Sequence, residues 1–113
     1  MALYVIAEEV ARFEAWRLAQ RTPAASSNEV FARRCSACHA IRGTGASGQL
    51  GPDLTHVGSR LSLGAGTLPN DAATLSGWIA SSQHVKPGNL MPSFEHLPAG
   101  ELQSVAAYLS GLK

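Results

Sequence analysis

Apolar positions recur at helical spacing in four stretches of the chain. In "PAGELQSVAAYLSGLK" Leu102, Val105, Ala106 and Leu109 fall on one face, the pattern of an amphipathic helix with one side turned to a core. In "PNDAATLSGWIAS" Leu75, Trp78 and Ile79 stand at i, i+3 and i+4, behind an Asn70 cap followed by Asp71. "SSNEVFARRCSACH" offers Ser26 or Ser27 as a cap, Glu29 in the first turn, apolar Val30 and Phe31, and Cys35 one turn further on. It predicts a short helix. "EEVARFEAWRLAQR" spaces Val10, Phe13 and Trp16 along a stripe, with Glu8 and Arg12 at i, i+4, and "TPAASS" behind it reads as a linker. The stretches "RGTGASGQLGPD" and "SLGAGTLPN" read as loops whose glycines allow positive φ and close approach. The pattern predicts an all-α domain in which the last helix packs across the short one through Phe31 and Tyr108.

Composition narrows this only a little. A chain of 113 residues, 45% hydrophobic and 15% charged, suits one small globular domain. A net charge of +1 offers no basic patch, so no nucleic-acid partner is expected. No apolar run approaches the roughly 20 residues needed to cross a bilayer, and the N-terminus has neither a basic n-region nor a cleavage site. A soluble chain is therefore expected. At 6% aromatic content its own core is thin, and a bound apolar cofactor would complete it.

Only two cysteines are present, and "CSACH" places them three positions apart with His39 directly behind. A structural zinc site needs four ligands, and His56, His84 and His96 stand alone in the sequence. A thioredoxin-like disulfide would follow a strand within a βαβ unit, and no such pattern precedes Cys35. The third reading is c-type haem attachment: two thiols add to the two haem vinyl groups, and the next histidine lies under the iron. A ligating histidine normally donates its other ring N–H to a carbonyl or carboxylate, and Pro52 in "GPDLTHVGSR" is a candidate for that carbonyl. Met91 in "VKPGNLMPS" lies among Pro87, Gly88 and Pro92, on a stiff loop and not a helix. Soft thioether sulfur opposite imidazole favours ferrous iron and suits electron transfer. "GTGASG" fits G-x-G-x-x-G, but it follows no strand and runs into Gly51-Pro52, so a nucleotide site is not expected.

In that order and at those intervals, "CSACH", "GPDLTHVGSR" and "KPGNLMP" resemble a class I cytochrome c over about residues 26–113. More narrowly, "GPDLTHVGSRLSLGAGTLPN", "LSGWI", "QHVKPGNLMP" and "AAYLSGLK" look like the cytochrome c domain at the C-terminus of subunit II in caa-type cytochrome oxidases. The resemblance implies a small fold with crossing N- and C-terminal helices around one covalent haem c. It makes Cys35 and Cys38 the thioether anchors, His39 and Met91 the iron ligands and Pro52 the carbonyl partner, with Arg60 and Trp78 beside the haem propionates. Where the family usually has a glycine, eight residues before the first cysteine, this chain has Ser27. Residues 1–25 resemble the last strand and following helix of the copper-binding cupredoxin domain, plus a linker, so the chain looks like a piece of a longer subunit.

The implied function is electron transfer, without catalysis by the domain itself. Electrons would enter from a respiratory donor such as a cytochrome c or a bc complex. They would pass to the dinuclear copper centre of subunit II and on to subunit I, on the periplasmic face of the membrane, with membrane contact only through the complex. Lys86 and Arg34 are docking candidates. The alternatives are a free-standing soluble cytochrome c, or a haem peroxidase or gas binder whose Met91 leaves the iron. Because Val10, Phe13 and Trp16 form an apolar stripe, residues 8–20 are expected to fold back on the body or to self-associate.

Overall fold

The computed structural model describes residues 2–113, and among them the four expected helices are present. They are α1 (Val10–Ala19), α2 (Glu29–Arg34), α3 (Ala72–Val85) and α4 (Ala99–Ser110). A 3₁₀ turn covers Val57–Ser59. An antiparallel hairpin pairs β1 (Ser62–Leu63) with β2 (Leu68–Pro69), Leu63 opposite Leu68. The hairpin lies in a segment read from sequence as loop, because strands of two residues are too short to show a period of two. Its tip needs the glycines: Gly64, Ala65 and Gly66 all take positive φ, which an L side chain adopts only at a cost.

Helix α4 packs mainly on α3 and also crosses α2. Its Val105, Ala106 and Leu109 join Leu75, Ile79, Val30, Phe31 and Ile41 in one buried cluster. Phe31 and Tyr108 meet as expected, their ring centroids 6.2 Å apart and the planes tilted by 59°. Ser27 is exposed, and next to it Tyr108 Oη donates to the Ser26 carbonyl at 2.9 Å. Both expected caps shift by one or two residues. Asn28, not Ser26 or Ser27, caps α2, its side-chain oxygen accepting from the Phe31 amide at 3.0 Å while its Nδ2 donates to Ser104 Oγ on α4 at 3.1 Å. Asp71 caps α3 through the Thr74 amide at 2.7 Å. Asn70 is used elsewhere: its Nδ2 donates to the carbonyls of Val57 and Arg60 and holds the turn before the hairpin.

Helix α1 buries none of its residues, and Val10, Phe13 and Trp16 remain exposed. The segment behind it is not a free linker. The Ala24 amide donates to the Arg42 carbonyl at 2.8 Å, and a Cβ on Gly43 would sit 2.8 Å from that of Pro23. No helix among the described residues is long and apolar enough to cross a membrane.

Candidate functional site

Helix α2 ends at Cys35, and the chain continues in tight turns: the Cys38 and His39 amides both donate to the Cys35 carbonyl, at 3.1 and 2.9 Å. Cys38 and His39 therefore lie together one turn beyond Cys35, at the end of the helix. Segment 48–55 is stitched to this turn. The Gly48 amide donates to Ser36, Gly51 to Cys38 at 2.7 Å and Leu54 to Ala40 at 2.9 Å, each to a backbone carbonyl. Within that seam His39 Nδ1 lies 2.8 Å from the Pro52 carbonyl oxygen. A carbonyl only accepts, so Nδ1 carries the proton and the Nε2 lone pair is left for a ligand.

Gly51, expected to form a rigid turn with Pro52, and Gly48 both meet the backbone or ring of the motif closely. A Cβ on Gly51 would fall 2.7 Å from His39 Nδ1, and one on Gly48 would fall 2.5 Å from the Cys38–Ala37 backbone. Neither has positive φ, so glycine is required by close approach alone. In the sequence Gly48 looks like the other loop glycines.

Both cysteines are free thiols. Burial, and then the neighbouring Cys38, push the Cys35 thiol up to about 11. A redox disulfide motif needs the reverse, a thiol lowered into the physiological range, and here a helix, not a strand, precedes the motif. Among the described residues no three His, Cys, Asp or Glu side chains are gathered into a metal-holding group, so no four-donor zinc site forms.

Met91 lies on the loop after α3, and the helix itself holds that loop. At Ser81 the backbone leaves helical angles (φ −138°, ψ 46°), which frees the Ile79 and Ala80 carbonyls to accept from the Phe94 amide. The Ser82 hydroxyl, fully buried, and Gln83 Nε2 both donate to the Met91 carbonyl, at 2.9 and 2.7 Å. The Met91 amide donates to Asn89 Oδ1 at 2.9 Å, and Asn89 Nδ2 ties back to the Ser82 and Lys86 carbonyls. Methionine is thus clamped through its backbone while its side chain packs, half-buried, against the core. Proline and glycine around Met91 signalled a stiff loop; Ser82, Gln83 and Asn89 gave no separate signal.

Arg60 is exposed, and its Nη2 donates to the Asp53 carbonyl at 3.0 Å. Trp78 is half-buried on α3 beside the hairpin tip: a Cβ on Gly64 would come within 3.3 Å of its ring. Lys86 and Arg34 are exposed. His56 Nε2 contacts the Gln20 carbonyl at 3.1 Å and its buried Nδ1 has no hydrogen-bond partner, but among the described residues no group of three His, Cys, Asp or Glu side chains that could hold a metal includes it. "GTGASG" folds back on itself, with Ala40 bridged to Ser47 and no helix opening behind it.

The donor set fits a haem attached through both thiols. Besides the thiols the chain offers a histidine with one free ring nitrogen and a thioether on a clamped loop, and Cys35, Met91, Leu54, Leu68, Trp78 and Phe94 all pack, partly buried, against the same core.

The site's acid sensitivity follows from Asp53. Burial pushes its carboxyl up, but the Thr55 hydroxyl and amide, then Arg42 and His56, outweigh this and hold it below the usual 3.8. Asp71 is lowered too, by the Thr74 amide and hydroxyl. A carboxyl lowered by folding contributes stability that is fully present above its unfolded pKa and lost as the pH falls through its folded value. The melting temperature should accordingly fall below about pH 4, near the unfolded Asp value. Thermal melts from pH 7 to 2 check this, and Asp71→Asn should flatten part of the acid slope.

A small helical fold that presents Cys-x-x-Cys-His with a carbonyl-fixed imidazole and a methionine on a clamped loop is built as a c-type cytochrome. Residues 24–113 match the family model for cytochrome c, and the chain belongs to the cytochrome c family. The family implies haem c and the role of an electron carrier. The chain is also 37% identical over 93 residues, 81% of its length, to a protein of Alkalihalophilus pseudofirmus named cytochrome c oxidase subunit 2. It spans 26% of that relative's length.

Proposed function

We propose that this chain is the haem-carrying electron-transfer domain of a caa-type oxidase subunit II, with residues 1–25 belonging to the preceding copper domain and residues 26–113 forming the cytochrome. The observation that carries the reading is the bond from His39 Nδ1 to the Pro52 carbonyl, which leaves the Nε2 lone pair free to ligate iron. Cys35 and Cys38 would hold one haem c by thioethers, His39 and Met91 would ligate its iron, and Arg60 and Trp78 would neighbour its propionates. When bound, the haem supplies a one-electron ferric/ferrous couple. The residues around it do the rest. Gly51 and Pro52 keep the imidazole from rotating, and Ser82, Gln83 and Asn89 keep the Met91 loop from moving. Residues held this firmly would let a bound haem change charge with little reorganisation, and with His39 and Met91 both ligating there would be little room for a substrate.

Similarity to the oxidase subunit supports a respiratory donor on one side, a cytochrome c or bc complex. On this reading the dinuclear copper centre and subunit I would lie on the other side, at the extracytoplasmic face of the membrane. Lys86 and Arg34, both exposed, are the proposed docking charges. The visible spectrum of the ferric holoprotein tests the site. A methionine-to-iron band in the far red is expected; a high-spin spectrum with rapid binding of carbon monoxide or cyanide would favour a peroxidase or gas binder instead.

The apolar stripe of α1 supports the domain reading over a free-standing cytochrome, because Val10 and Trp16 are more than half exposed (77% and 55%) and Phe13 nearly so (48%). In the whole subunit the copper domain would cover it. In the isolated chain a second copy is expected to, since burying one such side chain is worth roughly 1.5–3 kcal/mol. Sedimentation of the holoprotein at several concentrations should show dimers that Phe13→Glu disperses. A monomer throughout would remove the self-association and leave the haem assignment standing.

A further inference from the structure

Pro52 presents the carbonyl on which His39 depends, yet proline has no amide hydrogen with which to be fastened itself. Its neighbours must hold it. On one side the Gly51 amide is tied to Cys38. On the other side Asp53 is held from three directions. Its Oδ1 accepts from both the amide and the hydroxyl of Thr55, its Oδ2 lies 3.4 Å from Arg42 Nε, and its carbonyl accepts from Arg60. Thr55 is 2% exposed, and its hydroxyl oxygen also accepts from the Arg42 amide at 2.9 Å. Segments 38–42 and 51–55 thus run side by side, and the Arg42–Thr55–Asp53 cluster closes their far end. Arg42 is anchored in turn on the end of α1, its Nη2 donating to the Gln20 carbonyl at 2.7 Å.

We propose that Arg42 and Thr55 are positioning residues for the axial histidine: they hold Asp53, and through it the Pro52 carbonyl, so that His39 Nδ1 keeps a strong hydrogen bond. The inference rests on the reading of His39 as a haem ligand. Its physical consequence concerns the electron density of the imidazole. A firmly held acceptor makes the ring a better donor and favours ferric iron; a slack one weakens the bond, favours ferrous iron and raises the potential. Thr55 is well suited to the task because its hydroxyl donates to a carboxylate and accepts from an amide at once, which no apolar isostere reproduces.

The test uses charge-conserving variants of the holoprotein, so that altered net charge does not move the potential. Thr55→Val removes the hydroxyl, and Arg42→Lys keeps the cation but loses the fork that joins Asp53 to Gln20. Exchange of the His39 Nδ1 proton with solvent, followed by proton NMR of the ferrous form, should be at least tenfold faster in both. The reduction potential should become more positive in both. Thr55→Ser, which restores the hydroxyl, and Arg17→Lys, on the exposed face of α1, should behave as the parent. If Thr55→Val does not fold, Arg42→Lys decides the matter. A lower melting temperature with unchanged exchange and potential would assign the cluster to fold stability and overturn the proposal. The haem-ligand reading is judged separately, by the far-red band of the parent protein: its absence there would remove the premise, whereas its presence with unmoved variants would remove only the inference.

Discussion

Met91→Ala is expected to abolish the far-red band of the ferric protein and to lower its reduction potential by on the order of 0.1 V or more, given that axial ligands spread haem potentials over about 0.8 V. The loss is electronic before it is structural. In the proposed site the thioether would be a soft ligand that stabilises ferrous iron, and alanine offers nothing in its place. The loop itself should survive the change, because Ser82, Gln83 and Asn89 grip the backbone of residue 91 and not its side chain. An open axial position should then bind carbon monoxide rapidly in the reduced protein. A variant that retains both band and potential would show that another group is the ligand. His56→Ala, His84→Ala and His96→Ala are expected to leave the spectrum unaltered.

Gly51→Ala should be as damaging on the His39 side of the proposed site. The added methyl group would enter the His39 ring, where no flexible side chain can give way, and the backbone on both sides is tied by the Gly51–Cys38 and His39–Pro52 bonds. Overpacking of this kind costs about 1–3 kcal/mol where neighbours can adjust. Here the adjustment must rotate the imidazole or part the seam, and either displaces Nε2. The expected result is covalent haem content reduced several-fold, with a weakened or absent far-red band in the remainder, measured by intact mass and by absorbance per chain. Gly45→Ala is the matched control, since nothing lies within 4 Å of a Cβ there. Equal haem content in the two variants would mean that the seam yields more easily than its hydrogen bonds suggest.

Much of this architecture was legible in the chain. Helical periodicity located all four helices, because each must bury or present one face and the spacing of Leu75, Ile79, Val105 and Leu109 records which. The adjacency of Cys35, Cys38 and His39 pointed to the cytochrome c family that residues 24–113 match, and Pro52 and Met91 were set apart by the proline and glycine around them, whose restrictions are local. Phe31 and Tyr108 met as their faces required. Other features depend on residues far apart in sequence. Whether Ser27 or Asn28 caps α2 was settled by Tyr108 taking the Ser26 carbonyl and Ser104 meeting Asn28 across the helix crossing. Whether Gly51 needs flexibility or space was settled by an imidazole arriving against it from residue 39. Whether "TPAASS" is slack or fastened was settled by Arg42, 18 positions beyond Ala24. Local sequence fixes what a residue can do, through its allowed angles, its donors and its apolar surface. Which of those capacities is used depends on which distant group is brought within about 3 Å, and that is decided only when the helices pack.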